Sequence, residues 1–444
     1  MFTRHRIALA VMAAVLTAPA GAGAQTTNAG PDAIGAAPAD TLTLSEVYAL
    51  AHARNPKVAA AAALADAAAA RVPGAGLPPD PTLQVGVMNL SLPGLSANMP
   101  SSMAPQLQLM QMLPTPGKLG LSKKIARDSA LMATADASEA WWEVRARTAM
   151  AFYDVYAADR QLAVMQRTAR LLDDFRRVAQ AMYASGAGRQ SDVLRAGVET
   201  AKMQAEITRM QAMRAAAVAR LNAALDRPAD TPVPAVTLPA LPTNLPGVDT
   251  LAAWADGTRP MLAKGRTALD QAGSAASLAR KEIWPDLSIG LQYGQRPGAM
   301  GTERMGSAMI GFSIPVFAGS RQLKLREEAA AMRRMAAADL SDMRAQVRAR
   351  LGELAADLDR DRTLVALYRS QVLPQAQADV QSALSSYRVG SVDFMTLVDA
   401  QMTANQYEQE LYAMLGRYGA TLAELEMTIG RQLPASGQLL AEAR

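Results

Sequence analysis

Residues recur at one fixed separation along this chain. Pro56 and Pro260 lie 204 positions apart, and so do Pro81 and Pro285, Tyr183 and Tyr387, Gly186 and Gly390, Ala196 and Ala400, and Arg227 and Arg431. Proline and glycine mark backbone breaks and turns, so these pairs imply one structural unit written twice. The separation slips to 201 at Pro114 and Pro315, which places a three-residue difference in a loop just before them. The expected organisation is a first repeat over 41–227, a linker over 228–247 (RPADTPVPAVTLPALPTNLP), a second repeat over 248–434 and a short tail over 435–444. The linker is proline-rich and lacks helical periodicity, so it reads as extended chain.

Each repeat shows the same order of patterns. A first helix is expected over about 43–71, opened by Thr43 or Ser45 as cap, with its counterpart over about 248–283. A hairpin follows, over about 82–113 in the first copy and 286–316 in the second. Leu287, Ile289, Leu291 and Tyr293 alternate with Ser288, Gly290 and Gln292, while Leu83, Val85 and Val87 alternate with Thr82, Gln84 and Gly86. Period-two alternation suits a strand between lipid and a watery lumen, and equally a half-buried hairpin of a soluble sheet. From Lys118 to Met182 there is no proline, which allows a helical rod of roughly 100 Å. The second copy runs over about 320–387 and is expected to kink or break at Pro374. Gly186 and Gly390 turn the chain, and return helices are expected over about 190–227 and 393–431. Rods of this length need neighbours on both sides.

Composition narrows the function classes. Half the 444 residues are hydrophobic but only 5% are aromatic, which suits long helices packed on small side chains. Cysteine is absent and the two histidines are His5 and His52, so a zinc site, a thiol nucleophile and a disulfide framework have no ligands to draw on. His52 sits in an alanine-rich helical stretch far from any nucleophile-elbow motif, so no enzyme constellation is present and no cofactor is implied. The net charge of +5 is spread along the helices with no basic block, which gives no nucleic-acid signal. At the amino terminus, Arg4 and Arg6 precede the apolar run Ile7–Leu16, followed by Ala22-Gly23-Ala24. That pattern is a signal peptide over 1–24, cleaved near Ala24, ahead of a flexible segment over 25–40. No later run offers about 18 uninterrupted apolar residues. An exported chain of this kind is a soluble periplasmic coiled-coil adaptor or scaffold, or a β-barrel of the outer membrane. Four strands per chain cannot close a barrel, so the second reading requires an oligomer of two or more chains.

Two groups of motifs resemble the TolC family of outer-membrane efflux proteins. Tyr387-Arg388-Val389-Gly390-Ser391, followed by Leu397-Val398-Asp399-Ala400, is similar to the family's periplasmic tip, with Tyr183-Ala184-Ser185-Gly186 and Asp192-Val193-Leu194-Arg195-Ala196 as the first-copy equivalent. Asp80–Leu90 and the turn Leu113–Leu119 resemble the heavy-metal (copper and cation) branch. The resemblance implies a mostly helical fold with a small β part: a homotrimer with a twelve-stranded barrel in outer-membrane lipid and an α-barrel across the periplasm. It further implies a periplasmic adaptor docked at Tyr183, Gly186, Tyr387, Arg388, Val389, Gly390 and Ser391, and through it an RND-type inner-membrane pump. Many relatives carry a lipidated cysteine after the signal peptide; with no cysteine here, the barrel alone is expected to hold the chain. Asp192, Asp393 and Asp399 lie within a turn or two of the tips. By three-fold symmetry each would form a carboxylate ring at the aperture, although a carboxylate there also serves as an ordinary helix cap. Met88, Met99, Met103, Met110 and Met112 cluster at the first hairpin. Thioethers suit Cu(I) or Ag(I), but methionine is also common packing material, so spacing alone assigns no metal site.

Overall fold

The computed structural model describes residues 41–89, 102–242, 244–298 and 301–433. The signal peptide, the 25–40 segment, Met99 and the tail lie outside the described residues. Strand β1 (Thr41–Leu42) leads into helix α1 (Leu44–Arg54). The Thr43 hydroxyl accepts from the Glu46 N–H while the Glu46 carboxylate accepts from the Thr43 N–H at 2.9 Å, a complete capping box. The single first helix expected over 43–71 is instead two. Asn55 ends α1 and caps α2 (Pro56–Ala75), and the same break recurs between α5 (Val248–Thr258) and α6 (Pro260–Lys281). Pro56 and Pro260 each occupy a first helical position, where the missing N–H costs nothing but the residue before proline is held extended.

Strands β2 (Thr82–Met88) and β3 (Met103–Leu113) form the first hairpin, and β5 (Leu287–Gly298) and β6 (Gly301–Phe312) the second. Helix α3 (Lys118–Ala184) follows the first hairpin without a break, 67 residues or roughly 100 Å, and returns as α4 (Gln190–Ala224). In the second copy, α7 (Gln322–Leu367) passes through a π turn at Tyr368–Val372 into α8 (Leu373–Arg388), and α9 (Phe394–Ile429) returns. The α-helix is thus interrupted directly before Pro374, although the chain stays helical through the π turn. The wider turn before it takes up the hydrogen bond that proline cannot donate, and proline falls in the first turn of α8. The described part of the linker holds a turn closed by the Thr231 N–H on the Pro228 carbonyl and the short strand β4 (Ala235–Val236), which pairs in parallel with β1.

Helix α3 is the spine: α4, α9, α2 and α6 all pack along it. Two clusters make the core. One gathers Phe152, Tyr156, Leu221, Leu351 and Tyr418 along the Val144–Tyr156 stretch of α3. The other runs toward the turns through Phe175, Met203, Tyr387, Phe394 and Leu397. Close approach of α3 and α9 rests on two glycines. A Cβ at Gly419 would meet the Tyr153 ring at 2.4 Å, and one at Gly416 would meet the Ala157 Cβ at 3.0 Å.

Helix α2 is the described helix long and apolar enough to cross a membrane by length and composition. It carries Asp66 and Arg71 and lies along α3.

Candidate functional site

The two hairpins join in one antiparallel sheet of order β2-β3-β5-β6, so the copies meet at the β3–β5 seam. Residues directly opposite one another share a face. One face carries Leu83, Leu109, Leu291 and Ala308 in one row, and Val85, Leu107, Tyr293 and Gly306 in the next. Its side chains stand open, with Leu83 64% and Ile310 70% exposed. The other face carries Gln84, Gln108, Gln292 and Ser307 in one row, and Gly86, Gln106, Gly294 and Met305 in another. Among the described residues, strands β2 and β6 are left with unpaired edges. The sheet thus has, among the described residues, an exposed apolar face, a polar opposite face and two open edges, the pattern expected of strands between lipid and water.

A polar knot anchors this sheet to the helices. Lys118, buried at the start of α3, donates through Nζ to both carboxylate oxygens of Asp286 at 2.9 and 3.0 Å and to the Trp284 carbonyl at 3.2 Å. The Thr115 N–H donates to Asp286 Oδ1 at 2.7 Å. The end of the first hairpin is thereby tied to the start of the second. Sequence reading missed this pair, because nothing local marks two charges 168 positions apart.

At the other end, both helix pairs turn through a glycine at φ +75°, Gly186 and Gly390. In each, the N–H just past the glycine reaches back five residues: Ala187 to the Met182 carbonyl and Ser391 to the Ser386 carbonyl, both at 2.9 Å. These are Schellman turns, and the left-handed conformation is why glycine stands there. The two tips are not equivalent. Tyr387 is 3% exposed and packs its ring against Phe394 at 5.5 Å between centroids, whereas Tyr183 is 49% exposed. The position equivalent to Phe394 in the first copy is Gln190, which offers no aromatic partner. Burial, and the nearby Asp192 charge after it, push the Tyr387 phenol up. Arg388, Val389 and Ser391 are exposed at the tip, Val389 by 80%.

The three aspartates also separate. Asp393 is the N-cap of α9, accepting from the Thr396 N–H at 2.9 Å and its hydroxyl at 2.8 Å. Those two bonds, with Arg195 and Arg189 nearby, hold its carboxyl below the usual range. Asp192 lies in the first turn of α4. Asp399 lies in the second turn of α9, past the cap, exposed and without a hydrogen bond or ion pair among the described residues. No cluster of three or more His, Cys, Asp or Glu side chains suited to a metal occurs among the described residues.

The chain thus joins one four-stranded sheet to long helical rods. The sequence model of the "Outer membrane efflux protein" family matches residues 47–227 and 254–431, both copies of the repeat. The chain belongs to that family, the TolC-like efflux proteins, whose members are channels of tripartite pumps rather than enzymes. The outer-membrane protein VceC of Vibrio cholerae has the same fold at a TM-score of 0.73 and 16% identity, over 87% of this chain and 96% of that one. The open-state MtrE outer-membrane channel of Neisseria gonorrhoeae matches at 0.68 and 17%, covering 89% and 90%. The channel-forming CusC matches at 0.72 and 15%, covering 88% and 92%. No curated protein sequence matches the chain.

Proposed function

We propose that three copies of this chain close a twelve-stranded barrel in the outer membrane and continue it as an α-barrel through the periplasm. The pore would be a passive exit for cations, heavy metals such as copper or silver among them, or for small toxic compounds. The observation that carries this reading is the open four-stranded sheet. Unpaired backbone groups in lipid cost several kcal/mol each, so β2 and β6 must pair with strands of other copies. An eight-stranded barrel from two chains would be filled by side chains, whereas twelve strands leave a conduit. In this reading Tyr183, Gly186 and the Tyr387–Ser391 turn receive a periplasmic adaptor, which links the channel to an inner-membrane pump of RND type. Asp192 and Asp399 narrow and charge the aperture, and Asp393 serves there as a cap.

The experiment uses the natural absence of cysteine. Single cysteines placed along β2 and β6, combined in pairs and oxidised in membranes, should produce covalent trimers. A ladder that stops at dimers rules out the twelve-stranded barrel.

A further inference from the structure

Every methionine of the four strands lies on the polar face. Met110 stands opposite Gly290, which stands opposite Met309; Met305 stands opposite Gly294, and Met112 opposite Ser288. Met88 pairs with Met103 beyond a bulge, two positions on from Gly86 and so on the same side. Met305 and Met309 belong to the second hairpin and were not singled out from sequence. The lipid-type face has none, although lipid accepts methionine as readily as leucine. The polar face has no Leu, Ile, Val or Phe: methionine is its one large apolar residue type. Packing does not account for that segregation, since any aliphatic side chain would pack as well.

The local geometry adds a second observation. The two buried residues of β5 are Gly290 and Gly294. A Cβ at Gly290 would lie 3.4 Å from Met309 Cε and 3.7 Å from Met110 Cγ, and one at Gly294 would lie 2.9 Å from Met103 Sδ. Gly290 is thus a notch over which thioether side chains fold from both neighbouring strands, and Gly294 one over which Met103 folds, with Met305 opposite it in register. Glu303 on this face is paired with Arg296 at 2.8 Å, so the notches offer a cation neutral sulfur rather than charge.

We propose that Met110 and Met309 over Gly290, and Met103 and Met305 over Gly294, form two successive thioether sites for a soft monovalent cation of the Cu(I) class. Thioethers select such ions over hard ones. The notches are about 13 Å apart along β5, with glutamines between them, which is a step between stations rather than one closed cage. Neutral ligands bind weakly enough for release, as conduction requires. The proposal rests on reading the polar face as the lumen of a cation-exporting channel.

The test titrates the purified, full-length, detergent-solubilised channel with silver nitrate and follows binding by calorimetry. The wild type should bind Ag(I) saturably. Met103→Leu, Met110→Leu, Met305→Leu and Met309→Leu combined, which conserve volume, should lose about tenfold or more in affinity. Met213→Leu with Met335→Leu, both on helices, should change nothing, and Zn(II) should not bind at these sites. If the fourfold variant does not assemble, Met110→Leu with Met309→Leu must lower the Ag(I) stoichiometry. Unchanged binding in an assembled variant, or no binding by the wild type, overturns the relay. The wider reading fails separately: a strain lacking the gene that tolerates silver and copper as its parent does would overturn cation export while leaving the binding result standing.

Discussion

Asp393 and Asp399 share one helix end and carry different duties. Asp393 spends its carboxylate on the Thr396 N–H and hydroxyl, so it is committed to starting α9. Asp399 is exposed and unbonded, and a charge free of local duty is available to the pore. In planar bilayers Asp399→Asn should reduce cation selectivity and weaken block by divalent cations, because the change removes charge and keeps size. Asp393→Asn should leave both unchanged, since asparagine caps as well as aspartate. Selectivity and block equal to wild type in an assembled Asp399→Asn channel would remove Asp399 from the gate. The cap was legible in the sequence from its position before an apolar helical run. The inequality of Tyr183 and Tyr387 was not, because it depends on whether residue 394 or 190 supplies a ring across the turn.

At the scale of elements, long proline-free stretches announced the rods, and the expected and observed spans of α3, α4 and α9 differ by a few residues at each end. One expectation needed correction, the single first helix of each copy, and it lies at prolines. Pro56 and Pro260 end a helix and begin another, whereas Pro374 passes through behind a π turn. Local rules say that proline disturbs a helix; the packing around it decides how the disturbance is taken up. Low aromatic content foretold small-residue packing, and Gly419 against Tyr153 is its tightest point. Gly419→Ala should destabilise the assembled protein by about 1–3 kcal/mol through overpacking. Gly197→Ala, where a Cβ meets nothing within 4 Å in the middle of α4, should be neutral or stabilising by under about 1 kcal/mol. Thermal unfolding of the two variants side by side checks the pair, and equal midpoints would mean that α3 and α9 are less closely packed than described.

For the whole molecule, the membrane orientation of the sheet makes a prediction about solvent. Leu291 and Gln292 are neighbours in β5 on opposite faces. With no native cysteine to interfere, Gln292→Cys should react with a charged, water-soluble thiol reagent in intact membranes and lose conductance on reaction. Leu291→Cys should stay unreactive until detergent is added. Equal labelling of both would place the sheet outside the bilayer and return the soluble scaffold as the better account.

What the sequence by itself determined is the duplicated plan, shown by recurrence at one fixed separation, and the rods, the glycine turns, the caps and the alternation of the strands, which are written within a few residues of one another as backbone propensity and periodicity. Tertiary structure alone decided the β3–β5 seam, the Lys118–Asp286 tie, the burial of Tyr387 and the gathering of six methionines on one face. Each of these joins residues far apart in the chain, and the register that brings them together is set by strand pairing and by which side chain fills the opposite gap. Local preference carries no information about that partner.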